Sequence, residues 1–99
     1  MGCRLTFAPK AIGDLRSIVS FIALDDPAKA REFGQLLIQK ARLLEQQPEI
    51  GRVVPEFQDP NIREIVFRHY RIVYRLRLKH QLVEVARFWH GARGVIEIH

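Results

Sequence analysis

The chain is poor in the residues that staple a small protein or load it with metal. It has one cysteine, Cys3. That excludes an internal disulfide framework and fits a reducing compartment, so a cytoplasmic location is expected. Long apolar runs are missing. The longest, residues 17–24, falls far short of a bilayer span, and no membrane partner is expected. Residues 1–7 run straight into alternating sequence, without the apolar run and small-residue cleavage site of a signal peptide. No pair of histidines has metal-ligand spacing, and no cysteine or carboxylate cluster completes a set. Neither metal nor cofactor is therefore expected. A Walker sequence, a glycine fingerprint and a placeable Ser-His-Asp arrangement are all lacking. No repeat, low-complexity tract or linker divides the 99 residues, which predicts one domain over 1–99.

What is present is ordinary core material and an uneven charge. Hydrophobic residues at 47% offset chain entropy well enough to exclude disorder as the main state. The net charge is +5. Residues 1–50 hold seven basic and six acidic side chains, net +1, and residues 51–99 hold nine and five, net +4. Eight of those nine are arginine: Arg52, Arg63, Arg68, Arg71, Arg75, Arg77, Arg87 and Arg93. The planar guanidinium fork suits carboxylate and phosphate recognition better than an ammonium does. A basic half points to an acidic or polyanionic partner, or else to a solvated face.

Periodicity orders the elements. Residues 4–7 alternate and predict a short strand. Pro9 stands where a helix can begin, and Ala11, Leu15, Ile18 and Ile22 follow at helical spacing. Asp26 reads as an N-cap and Pro27 as a first helical residue. Ala30, Phe33, Leu37, Ala41 and Leu44 form the apolar face of that second helix, and Pro48 stops it. The near-absent linker between the helices predicts an antiparallel hairpin. Residues 48–61 read as a loop with a short extended piece near Val53. From Ile62 the period becomes two. Strands are predicted over 63–67, 70–78 and 82–89, with a turn at Lys79-His80-Gln81. Both faces of the last strand are mostly apolar, which suits a central strand and leaves its orientation open. The expected fold is α+β: an N-terminal strand, then a helix hairpin packed on one face of a twisted antiparallel sheet.

In the 70–78 strand, Tyr70, Ile72, Tyr74 and Leu76 share one face, and Arg71, Arg75 and Arg77 the other. If the tyrosine side packs under the helices, a guanidinium row is expected on an open side. That row suits phosphate tracking or docking of an acidic segment. Its alternative is a solvated face with cross-strand ion pairs, for which Glu84 is a candidate. His90, three residues before Arg93, could act as a base beside a phosphate clamp or simply cap the strand end. His69 could approach the same side. Trp89 is expected in a core or an interface.

The order and spacing of these residues carry a resemblance. Ala11-x-x-Asp14-Leu15-x-x-Ile18-x-x-Phe21-Ile22 is followed by Pro27-x-x-Ala30-x-x-Phe33, then by Leu44-x-x-x-Pro48-x-x-Gly51-Arg52. Later come Arg63-Glu64-Ile65, Tyr70-Arg71-Ile72-Val73-Tyr74-Arg75 and His90-Gly91-Ala92-Arg93. From Phe7 to Arg93 this resembles the RelE/ParE toxin superfamily, whose members include plasmid stabilisation proteins, and it stands closer to the ParE-like branch. The resemblance implies the toxin half of a bacterial type II toxin–antitoxin pair.

The superfamily divides by mechanism. RelE-like members are ribosome-dependent endoribonucleases. The resemblance then implies catalytic roles for Arg71, for Arg93 after the last strand and for His90. The RelE lysine pair is missing, since the stretch reads Arg63-Glu64-Ile65-Val66, and the tail 94–99 has no tyrosine. ParE-like members inhibit DNA gyrase. The expected function is ParE-like gyrase inhibition, with the metal-independent messenger RNA endoribonuclease as the alternative. A cognate antitoxin is expected to wrap the chain with an acidic segment that folds on binding. That segment would cover the hairpin groove and part of the arginine face, which assigns antitoxin or target binding to Arg63, Arg71, Arg75, Arg77 and Arg87. Operator DNA would be bound only through the antitoxin.

Overall fold

A proline opens each helix. The structure, a computed structural model describing residues 2–98, begins with strand β1 (Arg4–Phe7). Helix α1 (Pro9–Ala23) follows directly, and α2 (Pro27–Arg42) starts after three further residues. The Asp26 carboxylate accepts from Lys29 N–H at 3.1 Å, as its N-cap position predicts. Lys40 and Arg42 in the last turn suit the negative end of the helix dipole. The two helices pack closest at Gly34, where an added Cβ would lie 2.9 Å from Val19 Cγ2. The second helix ends earlier than Pro48 suggests. It passes at Leu43–Glu45 into a 3-10 turn, whose Glu45 carbonyl accepts from Cys3 N–H at 2.6 Å and so ties β1 down.

Four further strands complete the sheet: β2 (Arg52–Val53), β3 (Ile62–Phe67), β4 (Tyr70–Arg77) and β5 (Leu82–His90). Their spatial order is β1-β5-β4-β3-β2. All neighbours are antiparallel except β1 and β5, which run parallel. The sheet is thus mostly antiparallel, as expected. Its one parallel pair arises because the helix hairpin carries the chain from β1 across one face before the antiparallel strands begin.

The helix-side core contains Ala11, Leu37, Leu44, Ile72, Tyr74 and Phe88, all buried. The tyrosine face of β4 does lie under the helices. β5 sits between β1 and β4 and is buried on both faces. A bulge explains why its alternation could not be read: Val73 pairs Arg87 but Tyr74 pairs Val85, so Ala86 is the extra residue. Val83, Val85 and Phe88 therefore face the helices, and Ala86 and Trp89 face away.

The away side is not open, which corrects the expectation of an uncovered arginine row. Val54, Val73, Ala86, Trp89, Ile96 and Ile98 form a second buried cluster, with Phe57 and Ile62 packed against it. Two irregular segments make the cover: the loop after β2 and the tail that follows a 3-10 turn at Gly91–Arg93. The physical reason was present on the strands. Val73, Ala86 and Trp89 are too apolar to be left in water, and Ile96 and Ile98 supply the alternating cover.

Candidate functional site

Arg71 is engaged by two carboxylates. Its Nε donates to Glu64 Oε1, while Nη1 and Nη2 donate to the two Glu56 oxygens at 2.8 and 2.9 Å. Glu64 is 1% exposed, and its second oxygen accepts from Arg52 Nε at 2.6 Å. The local chain is built to place that pair. An added Cβ at Gly51 would lie 2.5 Å from the Glu64 carbonyl oxygen and 2.6 Å from the Tyr74 hydroxyl oxygen, so only glycine fits. The Gly51 N–H donates to that hydroxyl at 2.9 Å, which fixes Arg52 opposite Glu64. The hydrogen bond from Arg71 holds the Glu56 carboxyl down at about 2, and the same bond raises Arg71. Burial raises both Tyr70 and Tyr74.

The other arginines are also occupied. Arg87 donates to both Asp14 oxygens at 2.7 and 2.8 Å and to the Glu97 carbonyl at 2.7 Å. Its guanidinium also lies 4.8 Å from the Trp89 ring centre. The Asp14 hydrogen bond raises Arg87 further above its ordinary value. Arg75 pairs with Glu84 at 3.1 Å, as the cross-strand alternative anticipates, and donates to the Ile98 carbonyl at 3.0 Å. Arg63 donates to the carbonyls of Pro60 and Gly51 at 2.9 and 3.1 Å, tying the residue before β2 to the end of the β2–β3 connection. Arg77 is exposed at the end of β4 and makes no ion pair among the described residues. Arg75 and Arg87 therefore hold the tail down over the second cluster.

His90 ends β5 and is exposed. Its Nδ1 accepts the Ala92 N–H at 3.1 Å, so it does cap the turn. In the neutral ring the proton then sits on Nε2. The His90 ring meets Tyr70 edge-on at 5.1 Å and stacks with His69 at 6.2 Å. His69 thus does approach the same side. Arg93 follows in the turn and lies 4.2 Å from the Trp89 ring centre. Trp89 is 3% exposed, a core residue as expected. His90 and Arg71 border one depression of about 360 Å³, with Arg52, Arg68 and His69. Arg93 borders a neighbouring one of about 310 Å³ with His90, Asp14 and Phe21. The sheet end so gathers two of the three catalytic candidates, and the third stands one depression away.

Sequence reasoning missed Glu56 and Asp14, the carboxylates that occupy Arg71 and Arg87. Only tertiary packing brings them in, Asp14 from helix α1 and Glu56 from the connection after β2; Asp14 and Arg87 lie 73 positions apart. It also passed over the end of the helix hairpin, where Phe21 is 75% and Leu24 86% exposed. These are two of the three most exposed large apolar residues among the described ones, and both stand on one tip. Among the described residues, no group of three or more His, Cys, Asp or Glu side chains has the arrangement to hold a metal ion. No helix there is long and apolar enough to cross a membrane.

Comparison with known proteins agrees with this geometry. The family model for the ParE toxin of the type II toxin–antitoxin system parDE matches residues 5–95. No curated protein matches the sequence. Among solved structures, one chain of a chromosomal ParDE toxin–antitoxin system from P. aeruginosa superposes with a TM-score of 0.73. It is 21% identical over 89% of this chain and 95% of that one. A chain of the toxin–antitoxin complex RelBE2 from Mycobacterium tuberculosis superposes with a TM-score of 0.68. It is 18% identical over 91% of this chain and 99% of that one. At such identities the likeness is one of fold.

Proposed function

The chain belongs to the ParE toxin family of type II toxin–antitoxin systems, and from that premise we propose that it acts by binding, inhibiting DNA gyrase through protein contacts until a cognate antitoxin masks it. One observation carries the choice over RNA cleavage. In the folded chain each group a nuclease would aim at a scissile phosphate has a partner of its own, and no incoming phosphate would meet it free. Arg71 is filled by Glu64 and Glu56. His90 Nδ1 is taken by Ala92, which leaves a ring that donates outward and is no ready base. Arg93 stacks on Trp89. A binding toxin needs none of these free. It needs exposed apolar anchors, and Phe21 and Leu24 supply them.

The antitoxin is proposed to cover that same hairpin end and to send an acidic segment toward the sheet end. Arg75 and Arg87 drop out of the contact set because each also pins the tail, through the Ile98 and Glu97 carbonyls. Arg71, whose Glu56 partner stands on an irregular connection, remains with Arg63 and the exposed Arg77. The ribonuclease reading keeps one point in its favour, the depression that Arg71 and His90 share. Two parallel assays separate the readings. The purified chain should block supercoiling by gyrase in the absence of ribosomes and leave ribosome-bound messenger RNA intact. Cleaved message with unaffected supercoiling would reverse the assignment.

A further inference from the structure

We propose that Glu56 is a built-in stand-in for a partner's carboxylate, and that the Arg71 fork with Arg52 and Arg68 beside it is an anion site that an extended acidic peptide takes by displacing Glu56. The inference rests on the reading of this chain as one that meets an acidic partner segment. It adds where that segment binds and what it must displace.

Charge balance comes first. Buried Glu64 holds Arg71 by one oxygen and Arg52 by the other. Those three groups together carry one positive charge. Both Nη atoms of Arg71 remain unfilled until Glu56 arrives with a two-point contact. The two carboxylates differ in what holds them. Glu64 lies on β3, its side chain wholly buried, and cannot leave without taking the partner from the largely buried Arg71 Nε. Glu56 belongs to the irregular connection between β2 and β3, with its side chain 29% exposed. An incoming carboxylate would make the same two hydrogen bonds that Glu56 gives up. The exchange is therefore close to balanced, and additional contacts decide it.

Those contacts are at hand. The depression beside Arg71 is bordered by Arg52, Arg68, His69 and His90, and no acidic side chain lines it. The fork is already filled by a carboxylate's two-point contact, which favours an acidic peptide over a nucleic acid. Tyr70 is met edge-on by His90 and lies tilted against Phe33 at 5.5 Å, while His69 stacks on His90.

The test uses fluorescein-labelled hexaglutamate, read by anisotropy at low ionic strength. Glu56→Gln keeps the side-chain shape and removes the competing charge. It should bind the peptide about tenfold more tightly than the native chain, and Arg71→Lys in that background should remove the gain. Should Arg71→Lys fail to fold, the Arg71 Nε–H resonance of Glu56→Gln must shift on adding hexaglutamate. Equal binding by native and Glu56→Gln chains would overturn the proposal, as would a gain that survives Arg71→Lys. A gain for hexauridylate and none for hexaglutamate would overturn the peptide as occupant. Neither gyrase nor an antitoxin enters the assay, so its failure leaves the proposed target standing and separately testable.

Discussion

The two faces of one sheet are covered in opposite ways. On the helix side, two helices lay continuous apolar stripes over Ile72, Tyr74, Val85 and Phe88. On the other side, a loop and a tail without helix or strand cover Val73, Ala86 and Trp89. A helix satisfies its own backbone and needs only apolar contact to stay down. An irregular segment brings unpaired carbonyls, and here guanidiniums meet them. Arg75 takes the Ile98 carbonyl, Arg87 that of Glu97, and Arg63 those of Pro60 and Gly51. Arginines that look like a display from their alternation turn out to be clasps. The lesson is that a charged row on a strand with apolar neighbours signals a cover to be pinned as readily as a ligand to be bound.

The contrast can be broken at its strongest point first. Glu64→Ala strands Arg71 beneath the surface without its buried partner. We expect a loss of about 3–5 kcal/mol in chemical denaturation, the scale for breaking a buried pair from one side. A loss below about 1 kcal/mol would mean that Glu56 alone suffices.

Next comes the tail. Ile96→Ala removes a buried side chain from the second cluster, and about 2 kcal/mol should be lost, the lower end for such a change because an irregular segment can settle. Leu37→Ala on the helix side should cost more. Trp89 is the single tryptophan, so its emission should move to the red in Ile96→Ala and stay in place in Leu37→Ala. Equal costs and equal spectra would erase the distinction between the faces.

The smallest effect is titration of the loop. Glu56 is depressed from 4.5 to about 2. A depressed carboxyl stabilises the folded state above its unfolded value and stops doing so as pH falls through its folded one. The Glu56–Arg71 contribution should thus be complete above pH 4.5 and vanish toward pH 2, and exposure to solvent keeps it modest. Stability measured from pH 6 to pH 2 should show this component in the native chain and lack it in Glu56→Gln.

Most of the helix-side face was legible in the sequence, because helical spacing and strand alternation record burial against a regular partner. Ala11, Leu15 and Ile18 fall where the period puts them, and Asp26 caps as its position predicts. The opposite face was not. The Ala86 bulge breaks the period within β5, and the cover comes from residues whose own pattern is too short to signal. The candidate site was legible as a set of residue types, with Arg71 and His90 meeting at one sheet end. Their occupation was not legible, since Glu64 reaches Arg71 through the β3–β4 register and Glu56 through the folding of an irregular connection.

Gyrase supercoiling by the native chain and by His90→Ala, titrated side by side on relaxed plasmid, tests the account most directly. If the sheet-end groups serve structure and the toxin acts through contact, both should block supercoiling at the same concentration. A native chain that leaves supercoiling untouched while cutting ribosome-bound message, with the cut lost in His90→Ala, would contradict it.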